Sequence, residues 1–74
     1  MKTAIVWSQA NCSYCRMAKQ LLLSKGYTYI EKMIGDGTYT KKDLLSEVPS
    51  AKSVPQIFLD GKYIGGYNEL VKAL

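Results

Sequence analysis

Histidine is absent from this chain of 74 residues, and cysteine occurs only twice, at Cys12 and Cys15. Without imidazole there is no side chain of ordinary pKa near neutrality to act as a general base. A thiol nucleophile needs no general base beyond its own lowered pKa. A closed zinc site needs four ligands, and two thiols without histidine do not complete one in a single chain. No apolar run approaches the ~20 residues of a membrane span, so no membrane association is expected. The opening stretch "MKTAIVWSQA" has one Lys and a short apolar run, Ala4–Trp7, that stops at Ser8 and Gln9. That is too short for a secretory h-region, so a cytoplasmic location is expected, where thiols are kept reduced. Dense basic clusters are missing too. The nearest is Lys41-Lys42, so nucleic acid is not an expected partner. Repeats, low-complexity tracts and linkers are absent, and residues 1–74 read as one domain.

The residues present describe a small globular unit. Hydrophobic residues make up 47% of the chain, with six Tyr. Ten Lys+Arg against six Asp+Glu give a net charge of +4, a mild bias toward acidic ligands or partners. "TAIVW" (Thr3–Trp7) is a β-forming apolar run of the kind found in buried parallel strands. From Tyr14 to Lys25, the positions Tyr14, Met17, Ala18, Leu21 and Leu22 recur at helical spacing, and Gly26 fits the residue that ends the helix. "YTYIEKMI" (Tyr27–Ile34) predicts a second strand. Asp36-Gly37 marks a turn. A short helix follows around Thr40–Val48, with Thr40 as N-cap and Asp43 in its first turn. "VPQIFLDGKYIGG" predicts a hairpin turning at Asp60-Gly61, a type I′ pair, and a last helix starts near Tyr67. The order is β-α-β-α-β-β-α. The β-α-β start implies a parallel pair, to which the hairpin adds antiparallel strands.

The cysteine pair admits three readings. As a staple, a loop of about four residues is worth only about 2 kcal/mol, and it locks little that a helix does not already lock. As a metal site, it needs a second chain or an added ligand. As a redox dithiol, its setting is favourable. Cys12 would stand at the helix N-terminus, where free backbone N–H groups and the helix dipole stabilise a thiolate. Cys15 would lie one turn inside, shielded and within disulfide reach. That asymmetry makes Cys12 the attacking thiol and Cys15 the resolving one.

Three motifs resemble those of the glutaredoxins. "CSYCRMAK" (Cys12–Lys19) is similar to the family's CPYCxxAK stretch, "SVPQIFLDG" (Ser53–Gly61) to its TVPxIF segment, and "GGYNEL" (Gly65–Leu70) to its GG-x-D-[DE]-L helix opening. The resemblance spans essentially the whole chain. It implies an α/β thioredoxin-like fold with a four-stranded mixed sheet, and thiol–disulfide exchange with glutathione as co-substrate. It also implies a monomer acting on glutathione and on disulfide-containing proteins. Catalysis would fall to Cys12 and Cys15, and glutathione contacts to Tyr14, Val54, Pro55, Gly66, Tyr67 and Asn68. In this family the proline after Val54 is cis and faces the cysteines, while Val54 offers its backbone to the substrate. The other reading of Pro55 is a proline that opens an edge strand. Asn68 is either a neighbour of the γ-glutamyl group or the N-cap of the last helix. Tyr14 either flanks glutathione or is a half-buried tyrosine on the helix's apolar stripe.

Four positions depart from the family pattern. Gln9 stands where a Lys is common, which implies weaker glutathione binding unless Arg16, Lys19 or Lys52 substitutes. Ser13 replaces a Pro, Asn68 replaces an Asp, and Glu47 falls near a second-helix position that usually contacts the glycine carboxylate. Three other functions remain in view. One is a redoxin reduced by thioredoxin reductase that serves ribonucleotide reductase, although such proteins lack the GG-x-[DN] pattern. Another is a carrier of a [2Fe–2S] cluster shared between two subunits through the first Cys of each and two glutathiones. The third is a basic binding module with incidental thiols.

Overall fold

The computed structural model describes residues 2–74. Its elements are β1 (Thr3–Gln9), α1 (Ser13–Ser24), β2 (Thr28–Ile34), α2 (Lys41–Glu47), β3 (Gln56–Leu59), β4 (Lys62–Gly65) and α3 (Tyr67–Ala73). The sheet order is β2-β1-β3-β4. β1 runs parallel to β2 and antiparallel to β3, and β3 is antiparallel to β4. This is the thioredoxin-like arrangement.

β1 is central, and its side chains alternate between two cores. Ala4 and Val6 pack with Ala18 and Leu22 of α1, Ile57 of β3 and Leu70 of α3. Trp7 points to the other face, against Leu44 and Val48 beside α2. The sheet thus lies between α1 and α3 on one side and α2 on the other.

Local chemistry sets the boundaries. α1 ends in a Schellman motif: the Tyr27 N–H donates to the Leu22 carbonyl, the Gly26 N–H donates to that of Leu23, and Gly26 sits at φ 82°. Tyr27 is therefore spent on closing the helix, and β2 begins one residue later than its β-forming run suggests. α2 opens with a capping box in which Thr40 accepts from the Asp43 N–H and Asp43 accepts from the Thr40 N–H. The hairpin turns at Asp60-Gly61, both at positive φ as a type I′ turn requires. The Asp60 carboxylate also accepts from the Thr3 N–H, pinning the hairpin tip to the start of β1.

Two expectations fail on geometry. The buried stripe of α1 is Cys15, Ala18 and Leu22, so Tyr14, at 59% exposure, is not a core tyrosine. Gly66, not Asn68, is the N-cap of α3, because the helix starts at Tyr67.

Candidate active site

Cys12 occupies the N-cap of α1, and its Sγ accepts from the Cys15 N–H at 3.2 Å. The same donor is placed to stabilise a thiolate there. Cys12 and Cys15 are joined as a disulfide, with Cα atoms 5.3 Å apart. Cys12 is half-buried, whereas Cys15 is 2% exposed on the core side of the helix. The openness expected of Cys12 is thus partial, but the contrast between the two thiols holds.

The loop that opens β3 lies opposite. Val54-Pro55 is cis, and the Val54 carbonyl oxygen is 3.9 Å from Cys12 Sγ. β3 is an inner strand, so Pro55 does not open a sheet edge. A cleft of ≈ 270 Å³ is walled by Tyr14, Val54, Pro55, Gly66, Tyr67 and Asn68, together with Ser53 and Glu69. All six noncysteine site residues expected from sequence therefore share one cleft. Tyr14 and Tyr67 pack against each other in its wall, with ring centroids 5.8 Å apart.

Glu69 was not among the expected site residues. Its carboxylate accepts from the Gly66 N–H at 2.8 Å, and Gly65, at φ 128°, leaves it room. A Cβ on Gly65 would lie 2.8 Å from Glu69 Cγ. The acidic position of "GGYNEL" was the signal that could have found it. Gly65 is required both by its positive φ and by the Glu69 side chain packed beside it.

A second groove of ≈ 130 Å³ lies on the other side of Val54. Gln9, Lys41, Lys52, Ser53 and Val54 line it, with Leu44 among its apolar walls. Lys41 was missed, since a charge in the first turn of α2 carries no sequence mark of facing a groove. Of the cations considered as substitutes at Gln9, only Lys52 lines this groove. Arg16 lies along the outer side of α1 with Ser13, Met17 and Gln20. Lys19 is committed elsewhere, its ammonium 2.6 Å from the Glu31 carboxylate. Glu47 lines clefts beside Trp7 and Lys32 instead.

The Lys19 hydrogen bond and then that of Ser8 hold the Glu31 carboxyl below its ordinary 4.5, against the opposing effect of burial. Among the described residues no three His, Cys, Asp or Glu side chains gather as a metal centre. Among those residues no helix is long and apolar enough to cross a membrane.

The arrangement is a half-buried sulfur at a helix start, a shielded second sulfur one turn inside, a facing backbone segment and an adjoining cleft. Known proteins match the chain in sequence and in fold. The glutaredoxin family model matches residues 4–64. Glutaredoxin 3 of Escherichia coli (strain K12) is 37% identical over 70 residues, covering 95% of this chain and 83% of that protein. Glutaredoxin 1 from Francisella tularensis, solved in complex with cacodylate, superposes with a TM-score of 0.81 at 26% identity, over 97% of this chain and 91% of that one. A buckwheat glutaredoxin–glutathione complex superposes with a TM-score of 0.76 at 28% identity, over 96% and 66%.

Proposed function

Because the chain belongs to the glutaredoxin family, whose chemistry is thiol–disulfide exchange, we propose that it is a glutathione-dependent oxidoreductase acting on glutathione mixed disulfides and protein disulfides. The observation that carries this reading is the cleft beside Cys12, where Tyr14, Val54, Pro55, Gly66, Tyr67 and Asn68 converge. The glutathione bound by the buckwheat relative supports it.

In the proposed reaction the Cys12 thiolate attacks one sulfur of the substrate disulfide. A Cys12–substrate disulfide forms, and the other sulfur leaves as a thiolate that takes up a proton. With a glutathione mixed disulfide, Cys12 keeps the glutathionyl group, and a second glutathione thiolate displaces it as glutathione disulfide. With a protein disulfide, Cys15 loses its proton and attacks Cys12 Sγ, releasing the reduced protein and leaving the Cys12–Cys15 disulfide. Two glutathiones then restore the dithiol and depart as one glutathione disulfide. Exchange is fastest when the attacking thiol's pKa lies near ambient pH, and the Cys15 N–H on Cys12 Sγ favours the thiolate without a base.

Glutathione would lie across Val54. Its cysteine backbone would pair with Val54, its γ-glutamyl end would lie by Asn68 and Glu69, and its glycine carboxylate would reach the groove of Lys41 and Lys52.

The test is turnover of a small glutathione mixed disulfide with glutathione, glutathione reductase and NADPH. Wild type and Cys15→Ser should both sustain NADPH oxidation by the reductase, and Cys12→Ser should not. Reduction of a protein disulfide should fall sharply in Cys15→Ser. Turnover only with thioredoxin reductase would move the protein to the class of redoxins that serve ribonucleotide reductase. A brown chromophore after anaerobic purification with glutathione would instead mark a shared [2Fe–2S] cluster. Equal loss in both cysteine variants on both substrates would remove the division of roles.

A further inference from the structure

The segment that faces Cys12 has no regular structure of its own. Residues 49–55 form neither helix nor strand, yet Ser53 and Val54 line both clefts. A backbone that pairs with a substrate must keep its N–H and C=O aimed, and a loop does not do this unaided. The near end is tied by the Ala51 N–H on the Val48 carbonyl, 2.9 Å. The far end is tied by a side chain. Gln56 Nε2 donates to the Ser53 carbonyl at 2.7 Å.

Gln56 is 6% exposed, and both ends of its carboxamide are used. Its Oε1 accepts from the Tyr63 hydroxyl at 2.6 Å. Tyr63 stands on β4 with its ring packed on Phe58, centroids 5.4 Å apart. The Ser53 carbonyl can only accept, so it selects the carboxamide nitrogen and leaves the oxygen to Tyr63. The Tyr63 hydroxyl supplies the donor that this buried oxygen needs and anchors the far end of the side chain.

The Ser53 carbonyl and the Val54 N–H belong to one planar trans peptide unit and point in opposite directions. Drawing the carbonyl inward to buried Gln56 therefore turns the Val54 N–H outward. Among the described residues no acceptor pairs with that N–H. We propose that Gln56, anchored by Tyr63, is a positioning residue that aims the Val54 N–H at the backbone of the incoming disulfide substrate. Gln56 touches neither sulfur, and it acts through Ser53 and Val54. The inference rests on the reading that Val54 pairs with glutathione.

The experiment compares Gln56→Met and Tyr63→Phe with wild type in two assays. One is steady-state reduction of a glutathione mixed disulfide. The other is alkylation of the reduced protein by iodoacetamide, which needs the Cys12 thiolate but no backbone pairing. Gln56→Met should raise KM about three- to tenfold, the scale of one ordered neutral hydrogen bond, with kcat within about twofold of wild type. Tyr63→Phe should raise KM about two- to threefold, because the carboxamide then loses its anchor and its buried oxygen is left without a donor. Alkylation should keep its wild-type rate in both. An unchanged KM in Gln56→Met overturns the proposal, as does a rise in KM matched by an equal loss of alkylation rate, which marks general loosening. If Gln56→Met does not fold, Tyr63→Phe decides by the same split. Failure of the glutathione reading shows separately, as a wild-type protein that turns over no glutathione mixed disulfide but is alkylated normally.

Discussion

Gln9 shows how one residue's meaning depends on its neighbours in space. Read along the chain, it is a missing cation beside the dithiol. In the fold it shares a groove with two lysines, Lys41 and Lys52, that come from α2 and from the loop before β3. Gln9→Lys should therefore lower KM for a glutathione mixed disulfide by less than about twofold at low salt, because most of the charge is already there. Lys41→Gln and Lys52→Gln should each raise KM by about two- to fivefold, the worth of an exposed ion pair, and the effect should shrink as salt is added. Steady-state kinetics at two ionic strengths checks this. A fivefold gain from Gln9→Lys would mean that the glycine carboxylate reaches position 9 and not the lysines. Lys41 illustrates why the site was only partly legible. Gln9 and Lys52, the polar neighbours it meets in the groove, are more than ten positions away in sequence, and the docking of α2 on Trp7 helps bring them together.

At the scale of elements, sequence and structure agree where the signal is local. Thr40 and Asp43 are three apart and form their capping box, Gly26 closes α1, and Asp60-Gly61 turns the hairpin. The start of α3 depended on a longer reach. Asn68 has the chemistry of an N-cap, but Gly66 holds that position and the Glu69 side chain reaches back to its N–H, which needs the left-handed backbone of Gly65 to fit. The two adjacent glycines should thus respond differently. Gly65→Ala combines a positive φ with a Cβ placed against Glu69, so it should lower stability by about 1–2 kcal/mol and disturb the cleft wall. Gly66, in extended backbone with no contact closer than 3.4 Å, should accept Ala at less than about 1 kcal/mol. Denaturant melts of the two variants measure the difference. Equal losses would show that Glu69 does not govern the requirement.

Across the whole molecule, Glu31 links three elements. Its carboxylate receives Lys19 from α1 and Ser8 from β1 while it sits on β2. Both partners favour the charged form, so the folded pKa lies below the ordinary 4.5. The contribution is fully present above that ordinary value, and it is lost as pH falls through the lowered folded value. Glu31→Gln should cost on the order of 1 kcal/mol near neutrality and flatten the fall in stability on the acid side. Urea melts from pH 7 down to pH 3 give the curve, and parallel curves for the two proteins would remove Glu31 from the acid response.

The central place of β1 also has a consequence for how the chain is made. Its partner β2 follows within about thirty residues, but β3, which covers its other side, begins only at Gln56. A ribosome therefore releases both thiols, and the strand that leads to them, well before the segment that will shield that strand's second edge. During that interval the nascent chain presents an unpaired strand edge beside a reactive dithiol, the combination most exposed to wrong pairing with other chains and to wrong disulfides. A chain cut short before Ser53 would keep its cysteines and lose the backbone segment that faces them.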